Sequence, residues 1–151
     1  MLREFLAFSL FTQVSSGRWG QMCAGNPRNQ LRSPDIYGTG DYGSLRGTSI
    51  HRGVDLDCRA GVAVYAPFTG QLTGREYPFR SARNGINHGV GLEGSGYCIK
   101  MFLVNPSHYT GRIRKGQKLG KMVNVQHVYP LMNSHLHIQM CNSSIDPTPY
   151  L

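Results

Sequence analysis

The chain has 151 residues, four cysteines and a formal net charge of +8, from 16 Lys and Arg against 8 Asp and Glu. That length allows one domain with one core. Beyond the N-terminus nothing approaches the ~20 continuous apolar residues of a membrane-spanning helix.

The N-terminus reads as a secretory signal peptide over residues 1–16. Met1 to Glu4 is a short charged start. Phe5 to Phe11 is an apolar stretch of the right length for export and too short to cross a bilayer. Val14-Ser15-Ser16 supplies small residues for cleavage before Gly17. Cleavage removes one Arg and one Glu, so the charge stays at +8 in a domain spanning 17–151. A secreted, basic protein meets glycosaminoglycans, anionic lipid or acidic receptors rather than chromosomal DNA. Cys23, Cys58, Cys98 and Cys141, even in number and widely spaced, predict two disulfides, with three pairings open at this stage. The lack of Cys-x-x-Cys speaks against a cysteine-rich zinc finger.

Residues 25–49 carry Gly, Pro, Asn, Ser and Asp at nearly every other place and read as a long irregular segment. Strand-like runs follow at 53–56, 62–66, 71–73, 90–92, 97–104, 117–119 and 136–140. Most are bounded by Gly or Pro, and this regular spacing predicts an all-β sandwich or barrel-like fold. The densest basic run, Arg112, Arg114, Lys115 and Lys118, is a candidate polyanion- or receptor-binding surface, although a charge run is more often an ordinary solvated face. Asn142-Ser143-Ser144 matches the N-glycosylation sequon, beside Cys141, whose bridging would hinder access.

The chemistry-bearing elements are His51-Arg52-Gly53-Val54-Asp55 and His135-Leu136-His137. Residues two apart on a strand share a face, so His135 and His137 look into one site. Two imidazoles and a carboxylate, with a fourth position for water, make a catalytic-type zinc site, and a spare histidine stands where a base would. Either element alone is more often structural. Their joint occurrence, each in an apolar strand-like context, carries the reading. Asp57 is a competing carboxylate, with the parity to orient an imidazole instead.

The order His51-x-Gly53-Val54-Asp55, Gly61-Val62-Ala63-Val64-Tyr65-Ala66-Pro67-x-x-Gly70, Gly116-Gln117-Lys118-Leu119-Gly120 and His135-Leu136-His137-Ile138 resembles the lysostaphin-type zinc endopeptidases. From end to end, the chain resembles a vertebrate branch of that fold, the leukocyte cell-derived chemotaxin 2 and myb-induced myeloid protein 1 family. Cys23-Ala24-Gly25, Tyr65 to Gly70, Lys100-Met101-Phe102 and Asp146-Pro147-Thr148 carry this second resemblance. It implies an antiparallel β core with an open groove, and Zn²⁺ held by His51, Asp55 and His137. His135 is then the residue beside the metal-bound water and the candidate base. Spacing and resemblance together give the bridges Cys23–Cys58 and Cys98–Cys141.

Two departures from the family pattern bear on function. Active peptidases of this type carry a further histidine in a Tyr-x-His motif after the central strand. Here that stretch reads Tyr97 to Pro106 with no histidine, and His108 is only a displaced substitute. The chemotaxin relatives also carry a short extra disulfide in the irregular segment. Ser33-Pro34-Asp35 and Gly38-Thr39-Gly40 stand there instead, so that loop is expected to be less constrained. The expected function is a secreted, zinc-binding chemotactic signalling protein that has lost catalysis and engages an extracellular receptor or glycosaminoglycan. The alternatives are an active zinc endopeptidase cutting Gly-rich bacterial cell-wall peptides, and a plain glycan- or receptor-binding module.

Overall fold

A computed structural model describes residues 19–79 and 84–151. The predicted signal peptide lies outside the described residues. Among them the regular structure is eleven antiparallel strands and two short 3₁₀ turns, Val125–His127 and Thr148–Tyr150. The strands are β1 (Leu45–Arg46), β2 (Ser49–Ile50), β3 (Val54–Asp57), β4 (Ala63–Tyr65), β5 (Gly70–Arg75) and β6 (Gly89–Gly94). They continue with β7 (Tyr97–Phe102), β8 (Val104–Pro106), β9 (Thr110–Ile113), β10 (Lys118–Met122) and β11 (His135–Met140). Six form one sheet in the order β3-β11-β7-β6-β5-β9. Three form a second, β4-β10-β8, and β1-β2 is a separate hairpin.

Alternation sorts each strand's side chains to two faces. Val54 and Leu56 of β3, Ile99 and Met101 of β7, and Leu136 and Ile138 of β11 are all fully buried. With Val64 of β4, Leu119 and Met122 of β10 and Val104 of β8 they form one core cluster drawn from both sheets. The opposite parity leaves Asp55, His137 and Phe102 in a row across three strands, since His137 pairs with Asp55 on one side and with Phe102 on the other.

Sequence and structure differ at several elements. The run expected as one strand over 97–104 is broken at Leu103, whose φ is 71°. The chain turns a corner there from the six-stranded sheet to the three-stranded one. A left-handed leucine costs on the order of 1–2 kcal/mol. Bonds from Leu103 N–H to His88 O (2.8 Å) and from Val123 N–H to Leu103 O (3.0 Å) hold it. A strand not expected from the sequence, β9, carries Arg112 at the start of the basic run and closes the sheet edge against β5.

The expected disulfides are present, Cys23–Cys58 and Cys98–Cys141, with Cα–Cα distances of 5.7 and 5.4 Å. The second joins the start of the central strand to the residue after β11, where Cys141 N–H also donates to Cys98 O at 2.9 Å. The 25–49 segment is irregular as expected only up to the β1-β2 hairpin near its end, and it is pinned along the free edge of β3. Arg32 N–H donates to Asp55 O (2.8 Å), Asp55 N–H to Gly40 O (3.0 Å) and Asp57 N–H to Gln30 O (3.0 Å).

Candidate metal centre

His51 sits three residues ahead of the start of β3 rather than on it, while Asp55 lies in β3 and His137 in β11. Gly53 explains the spacing between the first two. A Cβ there would lie 2.5 Å from Ile138 O and 2.7 Å from both Cε1 and Nε2 of His137. Only glycine lets the segment bearing His51 pass this close to the partner imidazole.

The donor atoms form a small triangle. His51 Nε2 is 3.1 Å from Asp55 Oδ1, His137 Nδ1 is 2.9 Å from the same oxygen, and the two nitrogens are 3.2 Å apart. The remaining ring nitrogens face acceptors: His51 Nδ1 meets Asp41 O at 2.9 Å, and His137 Nε2 meets Gln139 Oε1 at 2.9 Å. With Asp41 O and Gln139 Oε1 as acceptors those nitrogens donate, which sets the tautomers and leaves the other ring nitrogens, turned toward Asp55, free to bind a cation. Two lone pairs and a carboxylate oxygen then converge, and only protons or a cation stabilise that meeting. A tetrahedral ion with bonds of about 2.0–2.1 Å has ligand–ligand edges of roughly 3.3 Å. The triangle is close to that size, and imidazole nitrogen with carboxylate oxygen is a donor set that suits Zn²⁺.

Asp55 is almost wholly buried. Burial alone would raise its pKa, but the imidazoles of His137 and His51 against Oδ1, and then the neighbouring His135, outweigh it. They hold the carboxyl well below the ordinary range, so it is ionised. Its second oxygen is engaged separately, by Arg32 Nη1 at 3.0 Å and Arg46 Nη2 at 3.1 Å. Neither arginine carries a motif that marks it in the sequence, and sequence analysis missed both.

His135 is buried beside this group. Its Nδ1 lies 2.8 Å from Asn133 O, and its Nε2 is 3.8 Å from Asp55 Oδ2. Burial first, then the neighbouring Arg32 and His137, depress its pKa against the opposing pull of Asp55 and the Asn133 carbonyl, so the ring is neutral. Asp57 does not join the cluster. Although it pairs with His135, it lines a separate polar cavity of about 940 Å³ with Asn26, Gln30 and Ser33.

The cluster forms the floor of a groove of about 560 Å³. Its wall is apolar: Ile36, Tyr37, Phe79, Phe102, Tyr129 and Met132 are among the lining residues. Phe102 stacks on His137, with ring centres 5.5 Å apart and planes at 14°. The histidines among the described lining residues are His51, His135 and His137, and neither His108 nor His127 reaches the groove. The basic residues Arg112, Arg114, Lys115 and Lys118 are exposed and lie outside the groove. Asn142 is exposed too, with Oδ1 accepting from Ser144 N–H at 3.2 Å and Ser144 O–H at 2.6 Å.

The loop expected to be loose for want of a disulfide has other ties. Asp35 accepts from Arg32 Nη2 (3.1 Å), Tyr37 N–H (2.8 Å) and Asn133 N–H (2.7 Å), and its own N–H pairs with Gly38 O (3.0 Å). A buried carboxylate with three donors ties this loop to Arg32 and Asn133.

An antiparallel β fold with a His-Asp-His cluster at the floor of an open groove defines a metallopeptidase-type scaffold, and the chain belongs to peptidase family M23, whose sequence pattern matches residues 49–147. Among solved structures, the fold is similar to the catalytic domain of a prophage-encoded M23 protein, EnpA, from Enterococcus faecalis. The TM-score is 0.53 at 17% identity, over 80% of this chain and 95% of that one. It is also similar to a zinc containing peptidase from Vibrio cholerae, with TM-score 0.50 at 16% identity, over 82% of this chain and 36% of that one. In sequence the likeness is narrower. The chain is 45% identical to leukocyte cell-derived chemotaxin-2 of Bos taurus over 97% of its own length and 95% of that protein's. It is 46% identical to myeloid protein 1 of Gallus gallus over 88% of this chain, which spans 41% of that longer protein.

Proposed function

We propose that this protein is a secreted, zinc-binding chemotactic signal that uses the M23 scaffold for binding and not for cleavage. The observation that carries the reading is the groove lining at the end of the central strand. Where an active member of the fold needs a second proton-transfer histidine, the end of the central strand supplies Phe102 and Leu103. Metal-activated water still needs groups within hydrogen-bond reach to move its proton, and losing one typically costs about 10²–10⁴-fold in rate. His51, Asp55 and His137 would hold the zinc, which would polarise a bound oxygen ligand and tie β3 to β11. Two disulfides support secretion. Near-complete coverage of a chemotaxin supports the signalling role. The partner is an extracellular receptor or glycosaminoglycan, approached by the exposed Arg112, Arg114, Lys115 and Lys118.

The test is to incubate the zinc-loaded protein with pentaglycine and with peptidoglycan, alongside a leukocyte migration assay. Migration without hydrolysis is expected. A second reading, an active endopeptidase, has in its favour the neutral, buried His135 beside the cluster. Hydrolysis at an enzymatic rate that His135→Ala abolishes would establish it. Loss of hydrolysis only on His108→Ala would show that a displaced histidine had taken the missing role.

A further inference from the structure

We propose that Arg32 is the positioning residue of the metal cluster: its guanidinium occupies Asp55 Oδ2 so that Oδ1 alone faces the metal, and it fastens the groove-rim turn around Asp35 to that same carboxylate. The inference rests on the reading of His51, Asp55 and His137 as zinc ligands.

The division of Asp55 between its two oxygens carries the argument. Oδ1 meets His51 and His137. Oδ2 meets Arg32 and Arg46. A free carboxylate can rotate and offer both oxygens to a cation. One whose second oxygen accepts two charge-assisted bonds is held in a single orientation. Arg32 is the more restrictive of the two donors. Its side chain is 2% exposed, against 23% for Arg46. A planar guanidinium can also bond in two directions at once, which an ammonium on a flexible stem does less well. Arg32 uses this: Nη1 goes to Asp55, while Nη2 goes to Asp35 Oδ1 at 3.1 Å and Gly38 O at 3.0 Å. Asp35 sits at the far end of the guanidinium and offsets its charge toward the dication. The same turn carries Ile36 and Tyr37 of the groove wall. Tyr37 continues the wall by packing edge-on against Tyr129, with ring centres 5.6 Å apart. Ligand geometry and rim shape are thus set by one side chain.

The test uses the full oxidised chain and measures zinc affinity by competition with a chromophoric chelator. Wild type is measured first. R32Q is expected to weaken zinc about 10–100-fold, the usual cost of losing a partner that orients a metal ligand. R46Q should weaken it less, and R32K should recover part of the R32Q loss. X-ray absorption of the zinc form provides a readout that a purely scaffolding role would not move: one Asp oxygen at bonding distance in wild type, two in R32Q. Wild-type affinity and wild-type coordination in folded R32Q would overturn the inference even if its thermal stability fell. Should R32Q fail to fold, unchanged affinity in both R32K and R46Q would overturn it equally. A wild-type chain that binds no zinc would remove the ligand reading itself, and the inference with it.

Discussion

His51 Nε2 and His137 Nδ1 stand 3.2 Å apart across Asp55 Oδ1, although 86 residues separate them in the chain. Each has its other ring nitrogen on a carbonyl-type acceptor. The pair therefore meets as two lone pairs, an arrangement that only a proton or a cation between them stabilises.

Purified, chelator-free protein should carry one zinc per chain by elemental analysis. Asp55→Ala should lose it. Metal bound only by the native state adds its binding free energy to stability, about 2.7 kcal/mol at a free zinc concentration of 100 times Kd. Thermal melts with and without zinc should separate in wild type and coincide in Asp55→Ala. Full zinc retention by the variant would refute the ligand assignment.

Zinc should be released as the solution is acidified. Binding requires neutral imidazoles, so it releases protons, and lowering the pH favours the metal-free form. Affinity should decline below about pH 6, where free imidazole gains its proton. Asp55 adds nothing to this release until far lower pH, because its carboxyl is held well below the ordinary range. A zinc affinity that is flat from pH 7 to 5 would contradict the assignment.

Gly53→Ala should damage the site without replacing His51, Asp55 or His137. The new methyl would overlap Ile138 O and the His137 ring. Overpacking of this kind costs roughly 1–3 kcal/mol. Because the displaced group is itself a ligand, zinc affinity should fall as well. Chemical denaturation and chelator competition on the same samples measure both effects, and wild-type affinity would show that the ring can yield.

Removing the bridge next to β11 should cost more than any single surface change. Cys98→Ala with Cys141→Ala opens a loop closed over a sequence separation of 43. Loss of a native disulfide from a small secreted domain typically costs about 2–5 kcal/mol. Urea unfolding of the double variant measures it, and a change under about 1 kcal/mol would mean that the neighbouring strand pairing suffices.

Charge reversal on the exposed basic run tests the partner. Arg112→Glu, Arg114→Glu and Lys115→Glu together should lower the salt concentration at which the protein elutes from heparin, since such binding weakens with ionic strength. Zinc content should not change, because the run lies outside the groove. Unaltered elution would move the polyanion site elsewhere.

Local pattern in the sequence determined the ligand candidates and most of the sheet. His51-x-x-x-Asp55 and His135-x-His137 are short-range spacings; strand parity converts the second directly into a shared face, while the first sets a histidine just ahead of β3 beside a carboxylate on it. Runs such as 62–66 and 136–140 alternate or stay apolar for the same reason, and their strands lie where the pattern put them. Only the tertiary structure decided the rest. Strand β9 holds Gly111 and Arg112, residues that a sheet edge tolerates and a pattern does not announce. Leu103 adopts its left-handed corner because bonds to His88 and Val123 hold it there. Arg32 and Arg46 gain their roles from bonding Asp55, and Asp35 from bonding Arg32, an effect of how the irregular segment packs against β3. A charged residue with no local periodicity carries no sign in its own sequence of whether it ends in solvent or against a metal ligand. Long-range packing sets the dielectric and the partners that make the difference.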